Sequence, residues 1–184
     1  MVIGNAKKAG VKKFICPGVD LLTSKRAVEL SRQHPGVVFA AIGFHPYEAQ
    51  KNPDIKMLEK LDPGSEAGMT IKAIGECGLD YHIYGSEKAQ GKKDTQKRLF
   101  EEQLDFAVKH NLPVIMHCRD AYEDFFEILD SLPRVPQGVI HCFSGGSSDV
   151  RMAEKRKLYV GIDGNVTYSK HLQNIVPHIP LSMI

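Results

Sequence analysis

Apolar runs of strand length alternate with helix-like segments along the whole chain, and this alternation limits the fold more than any other feature of the sequence. The runs end at Cys16, Gly43, Gly75, His117, His141 and Gly161, at intervals of 27, 32, 42, 24 and 20 residues. Between them lie amphipathic stretches closed by glycine, asparagine or proline, as at Asn111 and Pro113. Strict alternation of this kind means parallel strands joined by right-handed crossovers. Eight such units need roughly 230 residues, close to the ~250 of a (β/α)8 barrel. Six strands are visible in these 184 residues. The expected fold is therefore α/β, a TIM-type barrel in one domain over residues 1–184, with the first strand missing and the last truncated. A doubly wound sheet is the rival, but no glycine-rich dinucleotide loop follows the first strand.

Individual elements follow from local signals. Met1 to Gly10 reads as the tail of a helix, and Val11 to Cys16 as the first strand. Thr23 or Ser24 is the expected cap of a helix stopped at His34-Pro35-Gly36. A weaker helix is expected from Pro53 to Leu61, broken by Pro63-Gly64-Ser65. A polar loop covers Gly85 to Lys93. Asp94 then opens the longest helix, with Phe100, Leu104, Ala107 and Val108 facing inward. Asp120-Ala121-Tyr122-Glu123 resembles a capping box, which makes Asp120 a helix cap. Leu181 to Ile184 is read as the start of a further strand.

Three apolar runs end in residues that carry chemistry. Ala73-Ile74-Gly75 leads to Glu76, Val114-Ile115-Met116 to His117, and Gly138-Val139-Ile140 to His141. A carboxylate and two imidazoles are ordinary ligands of zinc, manganese or iron. They lie 41 and 24 residues apart, so only a fold that gathers neighbouring strand ends can unite them. His45 ends the adjacent strand, and substrate contact or support of the ligands suits it better than ligation. Arg119, two residues past His117, returns to the same face and could hold a phosphate. Ser144 and Gly145 precede a helix start, where backbone N–H groups suit an anion. Asp80, Tyr81 and His82 are placed on the loop after Glu76, lining the cleft.

Bulk properties are permissive. The net charge of +2 gives no broad basic face, although an enzyme that grips phosphate only in a cleft needs none. Lys92-Lys93 and Lys155-Arg156-Lys157 read as solvated faces. Cys16, Cys77, Cys118 and Cys142 lack metal-site spacing and read as packed free thiols, which favours a reducing, cytoplasmic setting. Neither a secretion signal nor an apolar run of spanning length is seen, so no membrane association is expected, nor an obligate protein partner.

By its motifs the sequence resembles the TatD family of metal-dependent hydrolases and DNases, a branch of the amidohydrolase-like barrels. The matching stretches are Ile42-Gly43-Phe44-His45-Pro46, Ala73 to Tyr81, Leu112 to Ala121, His141-Cys142-Phe143-Ser144-Gly145 and His178-Ile179-Pro180-Leu181. The resemblance implies one or two divalent cations (Mg2+, Mn2+ or Zn2+) and hydrolysis of phosphodiesters in DNA, with exonuclease action expected. It also implies that Glu76 is shared between metals while His117 and His141 hold one of them. The family's opening His-x-His strand and its closing Glu-Thr-Asp tip have no counterpart here, so the expectation is a fragment whose own activity is in question. Two other readings stay open: a related barrel hydrolase of a small ester, amide or phosphoester, and an inactive remnant that only binds metal or nucleic acid. No lysine stands at a strand tip, which disfavours a carbamylated bridge and the first of these.

Overall fold

The computed structural model describes residues 2–61, 71–83 and 93–184. The break expected at Pro63-Gly64-Ser65, nearly all of the polar loop from Gly85, and Lys92 lie outside these residues. Six strands form one sheet: β1 (Phe14–Pro17), β2 (Val38–Ile42), β3 (Ile71–Asp80), β4 (Val114–Arg119), β5 (Gly138–Ile140) and β6 (Tyr159–Val160). Every pairing is parallel and the strand order is the chain order. A doubly wound sheet must reverse its order at a switch point. This one never does, and it curls into a half-barrel with helices around it.

The helices are α1 (Val2–Lys8), α2 (Leu21–Gln33), α3 (Lys56–Glu59), α4 (Lys93–His110), α5 (Tyr122–Ser131), α6 (Ser147–Lys155) and α7 (Lys170–Ile175). Helix α2 begins earlier than expected. Asp20 is its cap, accepting from the Thr23 amide at 2.7 Å, and Thr23 accepts in return from the Asp20 amide at 3.0 Å. Ser24 is instead buried, with its Oγ between the N–H and C=O of Gly43, both at 3.2 Å. Helix α5 also departs from expectation. Its N-cap position is Ala121, and Asp120, with φ of 53°, turns its carboxylate to His82. Leu181–Met183 forms a 3-10 turn, not the start of a strand, because Met183 packs into the core.

Apolar residues of both sheet faces and of the inward helix stripes form one core, including Ile42, Ile74, Leu79, Phe100, Phe125, Ile140 and Phe143. Phe100 of α4 stacks on Phe125 of α5 at 5.3 Å, which ties the two helices over β3 and β4. At roughly 25 cal/mol per Å2 of apolar surface, each such ring contributes a few kcal/mol. All four cysteines are free, and Cys77 and Cys118 are buried as expected of packed thiols. Among the described residues no helix is long and apolar enough to cross a membrane.

Candidate active site

The strand tips meet through an irregularity in β3. Pairing runs Ile74 to Val114 and then Cys77 to Met116, three residues against two, so β3 carries one extra residue beside Glu76. Such a bulge re-aims a side chain at the end of a sheet. The strand then continues past the expected end at Gly75, through to Asp80, with Gly78 opposite His117 and Asp80 opposite Arg119. Alternation therefore puts Glu76, Gly78 and Asp80 on one face, with the middle position lacking a side chain. The His117 ring fills that gap between the two carboxylates.

Both ring nitrogens of His117 face an acid. Nδ1 is 3.4 Å from Glu76 Oε1, and Nε2 is 3.2 Å from Asp80 Oδ2. His141, immediately after β5, directs its Nε2 at the same Glu76 oxygen in close contact. The two imidazole centroids are 5.5 Å apart. His117 Nδ1 and His141 Nε2 are buried and neither makes a hydrogen bond of acceptable geometry. Two orphaned nitrogens aimed at one carboxylate oxygen form a donor set that fits a divalent cation. The bond from Nε2 to Asp80 leaves the Nδ1 lone pair for such an ion, the usual carboxylate–histidine–metal arrangement.

His45 closes the other flank, its ring 4.6 Å from that of His117. Among the described residues, the trio with one ligand atom from each within 4.8 Å of the others is His45, Glu76 and His117, so by distance alone these would hold an ion. The hydrogen bonding argues otherwise. His45 Nδ1 accepts from the Tyr47 amide at 3.3 Å, so the neutral ring carries its proton on Nε2. That nitrogen is a donor, suited to an oxygen of substrate more than to a cation.

The remaining expected residues are spread more widely. Asp80 lies in the strand itself and is fully buried, with Oδ1 accepting from the His82 amide at 2.9 Å. The Tyr81 hydroxyl donates to Asp124 of α5 at 2.7 Å, and the Lys93 ammonium sits over its ring at 4.2 Å. His82 Nδ1 is 2.7 Å from Asp120 at the partly exposed rim. Arg119 is half-buried on the His117 side, close enough for its charge to help keep Asp80 ionised. Ser144 is exposed, and its amide donates to the Tyr122 hydroxyl at 3.1 Å. Helix α6 starts at Ser147, and the Gly146 amide before it donates to Asp149 at 2.7 Å. Of the two residues expected beside an anion, Ser144 thus has its amide on the Tyr122 hydroxyl. Two buried glutamines on α4, Gln96 and Gln103, were not anticipated. Their signal in the sequence is an amide at two places on an otherwise apolar inward stripe.

Charges in the site are strongly coupled. Burial pushes the Glu76 carboxyl upward, but the close approach of the His117 and His141 rings outweighs this and holds it well below the usual range. Burial likewise opposes ionisation of Asp80, and His117 with the His82 amide overcomes it. His117 is depressed by burial yet raised on balance by Asp80 and Glu76. His45 is pushed down to about 4, by burial first and then by the charge of His117. The linkage follows for the metal-free chain. His117, raised, contributes fully below pH 6.5 and loses that contribution as pH rises through its folded value. His45, lowered, takes up a proton only in the unfolded chain between pH 6.5 and about 4. Stability should fall across that window by about 3 kcal/mol, and further below it as Glu76 and Asp80 protonate. Urea midpoints measured in chelator against pH check this, and His45→Gln should flatten the decline between pH 6.5 and 4.

Known proteins carry the same architecture. Residues 1–184 match the family model described as TatD related DNase. A protein of Yersinia pseudotuberculosis named 3′-5′ ssDNA/RNA exonuclease TatD is 34% identical over 187 residues, covering 100% of this chain and 69% of the relative. One of the same name from Erwinia tasmaniensis is 34% identical over 185 residues, covering 97% and 68%. The chain thus spans about two thirds of the length of these relatives. Among solved structures, YJJV, a TatD homologue of Escherichia coli, superimposes with a TM-score of 0.83 at 27% identity, over 98% of this chain and 68% of that one. A TatD-family hydrolase of Entamoeba histolytica shares the fold, with a TM-score of 0.78 at 23% identity, over 97% and 60%. With the family model matched from end to end and the relatives a third identical across nearly every residue, the chain belongs to the TatD-related DNase family.

Proposed function

We propose that this chain is a metal-dependent nuclease that hydrolyses phosphodiester bonds of single-stranded DNA or RNA from a 3′ end. The observation that carries the reading is the convergence of Glu76, His117 and His141, from three consecutive strand ends, with two unpartnered nitrogens facing one carboxylate oxygen. The names of the 34%-identical relatives support the substrate class and the polarity. The donor set of two imidazoles and a carboxylate suits Mn2+ or Zn2+ better than Mg2+, which prefers all-oxygen shells.

Glu76, His117 and His141 hold the cation in this reading. When bound, a divalent ion supplies charge stabilisation to the phosphoryl oxygens and lowers the pKa of water. The protein residues do the rest. Asp80 fixes the His117 ring so that Nδ1 faces inward. His45 offers its Nε2 proton to a phosphoryl oxygen, and its low proton affinity keeps the ring neutral, so it polarises without adding charge. Arg119, on the His117 face, neutralises the incoming phosphate, and the exposed Ser144 lines the approach, while Tyr81 is held away from the cluster by Asp124 of α5.

Incubation of 3′-end-labelled single-stranded DNA and RNA with Mg2+, Mn2+ or Zn2+ tests this. Expected is cation-dependent release of mononucleotides from the 3′ end, abolished by chelator and reduced at least ~100-fold in the His117→Ala/His141→Ala variant. Cleavage that persists in chelator, or at full rate in that variant, refutes the reading.

A further inference from the structure

Two glutamines of α4 are fully buried and make the same unusual contact at different places. Gln96 accepts from the Asp80 amide through Oε1 at 2.8 Å and donates through Nε2 to the Asp80 carbonyl at 2.9 Å. Gln103 accepts from the Phe44 amide at 2.7 Å and donates to the Phe44 carbonyl at 2.9 Å. Each side chain thus pairs with one backbone residue as a neighbouring strand would. The two are seven residues apart, two helical turns or about 10.5 Å along one face. A buried amide without partners is costly, so both glutamines are bound to their places as firmly as they bind the backbone.

The clamped residues are not arbitrary. Asp80 holds Nε2 of His117 and so decides which nitrogen of that ring looks into the site. Phe44 directly precedes His45, whose Nδ1 is fixed by the amide of Tyr47. One rigid helix therefore grips both flanks of the cluster at backbone level, from behind the sheet. Packing alone would be served by leucine or methionine in the apolar stripe that also carries Leu99, Phe100 and Leu104.

We propose that Gln96 and Gln103 are positioning residues that set the orientation and tautomer of His117 and His45, Gln96 acting through Asp80 and Gln103 through Phe44. The inference rests on the reading of this cluster as the metal and substrate site, and its first test is independent of metal. In 15N-labelled, metal-free protein at alkaline pH, where the rings are neutral, His117 and His45 should each show protonated Nε2. Gln96→Met, similar in size but unable to pair with the backbone, should turn His117 into a mixture of tautomers and leave His45 unchanged. Gln103→Met should do the reverse.

Mn2+ binding, read from the electron paramagnetic resonance of the free ion, supplies the second test. Gln96→Met should weaken binding about 10-fold or more, the usual scale for partners of metal ligands. Asp80→Asn should weaken it as much, and the double variant no further, because both changes act along one line. Gln103→Met should leave the Mn2+ constant within about twofold. Unchanged tautomers in both variants, with only a lower melting temperature, would overturn the inference and make the glutamines packing residues. Should the methionine variants not fold, Gln96→Leu and Gln103→Leu, which suit the apolar stripe and likewise cannot pair with the backbone, face the same criteria. A native chain that takes up no Mn2+ refutes the metal reading, and the tautomers then decide the clamp by themselves.

Discussion

Glu76→Gln is expected to lower nuclease turnover by about 1,000-fold and to weaken Mn2+ binding by at least about 100-fold, with the fold intact. The side chain keeps its size and one carbonyl oxygen, so packing against β4 is preserved. What it loses is the negative charge at the point where two imidazole nitrogens converge. Removal of a neighbour of a metal ligand already costs 10- to 100-fold in affinity, and a ligand itself costs more. A single electrostatic group aimed at the reacting centre typically contributes 100- to 1,000-fold in rate. His117 should respond as well. With Glu76 neutral it keeps only Asp80 as an acidic partner, and its proton affinity should fall towards the ordinary histidine value. Cleavage assays and Mn2+ titration check the first part, and the pH titration of the His117 ring checks the second. Turnover within tenfold of the native chain would show that Glu76 is not at the centre of the site.

Gly78→Ala is expected to be the most damaging single-methyl change in the molecule, costing at least about 3 kcal/mol. Gly78 has φ of +142°, which side-chain-bearing residues rarely adopt. An added Cβ would lie 1.9 Å from the carbonyl oxygen of His117, which belongs to the paired strand and cannot step aside without breaking the ladder. The same residue keeps the space in which His117 lies between Glu76 and Asp80. Chemical denaturation should therefore show a large loss of stability. Any folded fraction should bind Mn2+ poorly because β3 and β4 have been pushed apart. A variant as stable as the native chain would mean that the close approach of these strands is not required.

Much of this was legible from residue order. Helix and strand alternation, the terminators at Asn111 and Pro113 and the apolar runs before Glu76, His117 and His141 are local signals, and the tips meet as their spacing suggested. Local signals also misled where a tertiary contact outbid them. Asp120 has the sequence of a helix cap, but His82 offers its carboxylate an imidazole, and α5 begins without a side-chain cap. Thr23 looked like the cap of α2 and is the answering half of a box opened by Asp20.

The sequence by itself determined the class of fold, the parallel order of strands and the three residues at the centre, because hydrophobic period and chain punctuation act over a few residues. Tertiary structure alone decided the rest: the extra residue in β3 that turns Glu76 to the mouth, the burial of Asp80 behind His117, and the grip of Gln96 and Gln103 on both flanks. These depend on contacts between residues 16 to 59 positions apart, or on register, and no periodicity along the chain encodes either. Hydrogen-bond partners inside a protein are chosen by which groups are left without water once the strands have paired, and that choice is made only in three dimensions.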